Sequence, residues 1–243
     1  MRALEREAAG AHEVRECAPA GDPAPTDRAV RIRIGDDWME ADLHPPGPSR
    51  GTVIFAHGSG SGRSSPRNRH VAEVLEASGV GGLLLDLLTP SEEETDLQTT
   101  EYRFNIPLLT ARLVKATDWL LAQPWGKGRP VGYFGASTGG AVAMVAATER
   151  PSHVSAIVLR GARTDLAASV AGKVHCPTLL LAGENDPTIL AINHETVRHL
   201  RCPKKLVVVP GASHLFEEPG TLERVALEAR NWFDHHLARK PSG

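Results

Sequence analysis

Residues 131–147, Val-Gly-Tyr-Phe-Gly-Ala-Ser-Thr-Gly-Gly-Ala-Val-Ala-Met-Val-Ala-Ala, constrain the fold of this chain more than any other stretch. Residues 131–134 are a short apolar run of strand character, and the Ala- and Met-rich run after Gly140 has helix character. Between them, Gly135-Ala136-Ser137-Thr138-Gly139 fits G-x-S-x-G. In that pattern a strand turns abruptly into a helix and leaves one side chain exposed on a strained backbone. The flanking glycines have a steric reason, since a β-carbon at 135 or 139 would strike the neighbouring strand or helix. Gly140 and Ala141 let the new helix pack closely. Ser137 then stands at a helix N-terminus, with the Thr138 amide free to donate to an oxyanion. Alone, the pentapeptide also reads as an ordinary strand-to-helix turn with Ser near the N-cap. The strand before it and the helix after it supply the context that a nucleophile elbow requires.

The rest of the chain alternates strands and helices around this point. Residues 1–26, rich in Ala, Glu and Pro, read as an extension outside the core, with a single domain expected over 27–240. Residues 30–34 alternate apolar and charged, Asp36-Asp37 turn, and 38–43 return, giving an edge hairpin. Residues 51–57 form the first continuous apolar strand, the kind buried in a parallel sheet. It runs into Gly58-Ser59-Gly60-Ser61-Gly62, where the Ser59 amide is positioned as a second oxyanion donor. Phosphate binding is the other use of such a loop, but the nucleotide-loop Lys-Ser/Thr ending and a well-placed G-x-G-x-x-G are both missing. His57 reads as a structural histidine ordering this loop rather than as a base.

A helix is expected over about 66–77, a strand over 80–85, and a helix over 106–122. Between the last two, 87–105 includes the acidic run Ser91-Glu92-Glu93-Glu94-Thr95-Asp96, which reads either as a solvated loop or as a substrate-facing lid. After the elbow come a strand at 154–159, a short helix at 166–170 and a strand at 177–182. A helix over 188–200, a strand over 205–209 and a last helix over 219–237 complete the order. Such alternation implies a mostly parallel twisted sheet of about eight strands with helices on both faces, an α/β fold whose working groups gather beyond the strands' C-terminal ends.

Ser137, Asp186 and His214 each fall at such an end. A serine hydroxyl needs a base to take its proton and a carboxylate to orient that base. His214 can be the base and Asp186 its partner, and the chain order Ser, Asp, His suits this architecture. Each also has a plainer reading: Asp before Pro commonly starts a turn or caps a helix, and a His in a Gly-rich loop can be merely surface. Arg63, Arg160 and Arg163 are candidates for selecting an anionic substrate.

The segments His57-Gly58-Ser59-Gly60-Ser61, Gly135-Ala136-Ser137-Thr138-Gly139, Gly183-Glu184-Asn185-Asp186-Pro187 and Gly211-Ala212-Ser213-His214 resemble the α/β-hydrolases, nearest to the dienelactone-hydrolase-like branch. The resemblance covers about 28–237. It implies Ser137 as nucleophile, His214 as general base, Asp186 as its orienter, and the Ser59 and Thr138 amides as the oxyanion hole. Dienelactone hydrolases proper carry Cys at the nucleophile, so Ser137 departs from them. The short span between the strand ending at Leu159 and that beginning near Pro177 leaves no room for a large cap domain.

The expected activity is hydrolysis of a small ester, thioester or lactone through an acyl-enzyme. Acyl transfer or peptidase action would use the same triad, and a catalytically inactive binding protein on this fold is the reading from another class. A net charge of -2 gives no electrostatic case for nucleic acid or an anionic membrane. No apolar run approaches a membrane span, and the N-terminus lacks an apolar leader core, so a soluble cytoplasmic monomer or homodimer is expected. No cofactor is implied. Cys17, Cys176 and Cys202 lack metal-type spacing and fit a reducing compartment, and Asp234-His235-His236 matches no recognised ligand pattern.

Overall fold

The computed structural model describes residues 29–47 and 50–237. The extension expected over 1–26, Cys17 and the last residues of the expected domain lie outside the described residues. Eight strands form one sheet: β1 (Ala29–Ile34), β2 (Asp37–His44), β3 (Thr52–Ala56), β4 (Gly81–Leu85), β5 (Val131–Ala136), β6 (Val154–Arg160), β7 (Thr178–Gly183) and β8 (Lys204–Val209). Their order is β1-β2-β4-β3-β5-β6-β7-β8. The β1–β2 and β2–β4 pairs are antiparallel, and every other pairing is parallel. The edge hairpin therefore extends a parallel core, as the alternation of Ile32 with Arg31 and Arg33 anticipates.

The central strands β3, β4, β5 and β7 are buried along their whole length, which is why they read as unbroken apolar runs rather than as alternation. Six helices cover the sheet: α1 (Pro66–Ala77), α2 (Pro90–Thr99), α3 (Ile106–Ala122), α4 (Thr138–Glu149), α5 (Pro187–His199) and α6 (Thr221–His236). Two cores result. One packs Leu109, Leu113 and Val142 against Ile54, Tyr133, Ile157 and Leu180. The other packs Val71, Leu75, Val225 and Phe233 against Phe55, Phe134, Val158 and Leu181. The buried Tyr133 hydroxyl shares a 2.7 Å hydrogen bond with Thr117 Oγ1, tying β5 to α3 without leaving a polar atom unpaired. Among the described residues no helix is long and apolar enough to cross a membrane.

Two elements differ from the sequence expectation. Residues 164–173 form a 3₁₀ segment, kinked at Ala167, where a shorter helix was expected. The acidic stretch is largely helical: α2 begins with a capping box in which Thr89 accepts from the Glu92 amide and Glu92 accepts from the Thr89 amide. Thr89-Pro90-Ser91-Glu92 is the sequence signature of such a start. Glu92 and Glu93 then lie in the first turn, where the helix dipole favours them.

Candidate active site

The register of the parallel strands lines up their C-terminal ends, with Ala56 beside Gly135 and Ala136 beside Arg160. Ser137 follows at φ 50°, ψ -121°, a conformation that L-residues seldom adopt and that costs about 1–3 kcal/mol. Three backbone bonds hold it there. The Ser137 amide donates to the Arg160 carbonyl at 3.1 Å, and the Ser137 carbonyl accepts from Gly140 and Arg163 amides, both at 3.0 Å. The glycines allow the close approach: a β-carbon on Gly139 would lie 2.2 Å from the Ala56 carbonyl oxygen, and one on Gly135 would lie 2.6 Å from that of Gly139. Thr138 is the first residue of α4, so its N–H is one of the donors a helix leaves without an internal partner.

The loop after β3 is anchored by His57. Its Nε2 accepts from the Leu87 amide at 3.0 Å, so Nδ1 carries the proton and donates to the Gly58 carbonyl at 2.9 Å. Burial holds this imidazole below its ordinary pKa and so neutral. His57 is thus the orderer of the loop that its strand-end position suggested. Because the Gly58–Ser59 peptide is planar, pinning its carbonyl to His57 and the Ser61 amide turns the Ser59 N–H the opposite way. Gly58 also lies against Ser137, its virtual β-carbon 3.1 Å from Ser137 Cβ.

Asp186 and His214 meet at 2.6 Å, Oδ2 to Nδ1. Asp186 is at the same time the N-cap of α5, its Oδ1 accepting from the Ile189 amide at 3.3 Å. The loops that carry the two residues are cross-tied: Asn185 Nδ2 donates to the Gly211 carbonyl at 2.9 Å, and the Gly211 amide donates to Glu184 at 2.8 Å. Glu218 accepts from the Ser213 amide at 3.0 Å. Gly161, at φ 54°, passes beside the imidazole, where a β-carbon would lie 3.5 Å from its Cε1 and Nδ1. The sequence placed Glu184 and Asn185 within a motif without giving either a task; clamping the histidine loop is that task.

The three arginines fare differently. Arg63 is held by Glu40, Asp42 and Asp86, and Arg163 is chelated by Asp165, so neither has uncompensated charge to offer an anionic substrate. Arg160 is buried, with no acid paired to it among the described residues. At the chain's end Asp234 accepts from Arg50 at 2.9 Å, and His236 packs edge-on against Trp232.

Beside the loop 58–61 lies a cavity of about 90 Å³ whose walls include His57, Leu87, Leu88, Leu97, Leu109 and Glu93. α2 forms its outer wall and is fixed by polar ties. Arg103 and the Tyr102 and Arg103 amides bind Asp96, Arg112 pairs with Glu92, and Ser91 donates to Asp37 at 2.7 Å. Burial alone would raise the Asp96 pKa, but these donors outweigh it and hold the carboxyl below its ordinary value.

A profile of the Dienelactone hydrolase family matches residues 89–235. A crystal structure titled as the dienelactone hydrolase of Anabaena variabilis ATCC 29413 is 50% identical, covers 90% of this chain and 100% of its own, and superposes with a TM-score of 0.84. The chain belongs to the dienelactone hydrolase family. Est1E from Butyrivibrio proteoclasticus shares the fold, at 16% identity and a TM-score of 0.74, over 88% of this chain and all of its own. A Mycobacterium tuberculosis H37Rv protein named "Putative phosphoribosyl transferase Rv0571c" is 48% identical over 92% of this chain and 50% of its own length. The chain thus spans about half the length of the curated relatives it first matches. The mostly parallel eight-stranded sheet, with no large cap domain among the described residues, is as the motifs led one to expect.

Proposed function

We propose that this dienelactone hydrolase family member is a serine hydrolase that cleaves a small ester, thioester or lactone through an acyl-enzyme. The observation that carries the reading is the 2.6 Å Asp186–His214 contact at the same strand ends as a serine held at positive φ. Ser137 Oγ attacks the carbonyl carbon while His214 Nε2 takes its proton. Asp186 fixes the tautomer with Nε2 unprotonated and stabilises the imidazolium that forms. The Thr138 and Ser59 amides receive the developing oxyanion. Collapse breaks the bond to the leaving oxygen or sulfur, which takes the proton back from His214. Water, deprotonated by the same imidazole, then attacks the acyl carbon and releases Ser137.

The small cavity of about 90 Å³ bordered by Ser59, the proposed oxyanion donor, is where the reading places a short acyl or alkyl group. The test is labelling with a fluorophosphonate, peptide mapping, and hydrolysis of p-nitrophenyl esters of increasing length. Modification at Ser137, its loss in Ser137→Ala, and faster turnover of the short esters are expected. A folded protein that resists the label and hydrolyses none of the esters would overturn the assignment in favour of a binding role.

A further inference from the structure

Among the described residues, three side chains of the Asp, Glu, His, Lys and Arg types are buried: His44, Asp96 and Arg160. His44 meets Glu76 at 2.6 Å, and Asp96 meets Arg103 at 2.8 Å. Arg160 meets no carboxylate among the described residues. It is 8% exposed, and its Nε and Nη1 are sealed from solvent without a hydrogen-bond partner. It has an aromatic neighbour in Phe216, whose ring centroid lies 5.8 Å from the guanidinium carbon. Burial and then the nearby Arg67 bring its pKa down to about 10, which leaves it cationic at neutral pH.

Arg67 adds to the imbalance. It sits in the first turn of α1, a turn without an acidic residue, where the helix dipole is itself positive. Its Nη1 donates to Glu217 at 3.0 Å, but that carboxylate is 61% exposed, and the Arg67 Nε is sealed and unpartnered like those of Arg160. Phe216, two residues beyond His214 in sequence, faces Arg160 with its ring while the next residue, Glu217, accepts from Arg67, and it is buried at φ 56°. A bulky residue in that region needs its surroundings to hold it.

Water can accept from a guanidinium, but it brings no charge. A buried permanent cation within reach of a second one calls for a counter-ion, and an oxyanion supplies charge and acceptors together. We propose that Arg160 and Arg67 form a binding site for a small oxyanion of the phosphate, sulfate or carboxylate class, beneath the loop that carries His214. The site is separate from the cavity beside the loop 58–61, and its occupancy does not depend on the hydrolase reading. A bound anion joins the end of β6 to the start of α1 under Phe216, and so steadies the loop from which His214 reaches Asp186.

The test is a titration of the full chain with inorganic phosphate, followed by thermal unfolding and by ³¹P line broadening, against chloride at matched ionic strength. A ligand that binds only the folded state raises Tm in proportion to the logarithm of its concentration. A saturable rise is expected in the wild type and in Ser137→Ala. Arg160→Gln is expected to weaken the phosphate affinity at least tenfold, and Arg67→Gln by a smaller factor. Phosphate that acts no differently from chloride on the wild type overturns the proposal, as does unchanged affinity in both variants. Should Arg160→Gln fail to fold, Arg67→Gln still decides, because Arg67 is part-exposed and the sheet does not depend on it. Phosphate that competes only with an ester carrying its own carboxylate would identify the anion as part of the substrate. Equal effects on neutral and carboxylated esters would identify it as a free ion.

Discussion

Asp186 serves two partners with two oxygens, which makes it the most informative position to change. In Asp186→Asn the side chain keeps an oxygen to cap α5 through the Ile189 amide but loses the charge that His214 Nδ1 meets at 2.6 Å. The amide group can also present N–H to Nδ1, which forces the imidazole into the tautomer that cannot accept from Ser137. Loss of the orienting carboxylate from such a triad lowers kcat by about 10³ to 10⁴, or about 4–5.5 kcal/mol of transition-state stabilisation. Asp186→Ala removes the cap as well. At 3.3 Å that hydrogen bond is long, so the additional cost belongs at the lower end of the usual range, about 0.5–1 kcal/mol. For a chain of this size that corresponds to about 1–4 °C in Tm. The assay pairs p-nitrophenyl acetate turnover with thermal unfolding of both variants. Asn is expected to be inactive at near wild-type Tm, and Ala to be equally inactive at a lower one. Turnover within tenfold of wild type in Asp186→Asn would refute the role given to the carboxylate.

Other expectations follow from the same geometry. Ser137→Gly should abolish turnover yet stabilise the fold by about 0.5–2 kcal/mol, because glycine relieves the positive-φ strain at a smaller entropic cost; a lower urea midpoint would contradict this. Gly139→Ala should destabilise by about 2–3 kcal/mol, since its β-carbon would sit 2.2 Å from the Ala56 carbonyl oxygen, and a wild-type midpoint would show that the elbow can relax. His57, held below its ordinary pKa by burial, binds its proton more readily when unfolded. Its contribution to stability is therefore complete above about pH 6.5 and declines as pH falls below that value. Urea unfolding at pH 8 and pH 5 should show a smaller acid-linked loss in His57→Gln than in the wild type; equal losses would remove His57 as the cause.

Much of this was legible in the sequence because the relevant signals are local. Unbroken apolar runs at 52–56 and 131–134 can be accommodated only where both faces of a sheet are covered, and the elbow glycines form a five-residue pattern that is read locally even though the contact that demands Gly139 is with distant Ala56. The alternation around Ile32 marked the edge hairpin for the same reason. α2 escaped because its acidic composition resembles a solvated loop, although Thr89 and Glu92 stand at the spacing of a capping box. The clamps were beyond reach for a different reason. That Arg63 answers to Asp86, or Glu184 to the Gly211 amide, depends on strands paired far along the chain. Nothing in the sequence around Arg63 or Arg160 says that the first meets three carboxylates and the second none among the described residues.

The way α2 is attached has an evolutionary reading. The wall it contributes to the cavity hangs from Asp37, Arg103 and Arg112 by hydrogen bonds and ion pairs, and Asp96 is its one buried residue. Leu97, on the cavity, is 73% exposed. Sequence can therefore drift here at little risk to the sheet, whereas the elbow tolerates almost no change. A descendant could acquire a new preference by rewriting ten residues while inheriting the rest of the molecule intact.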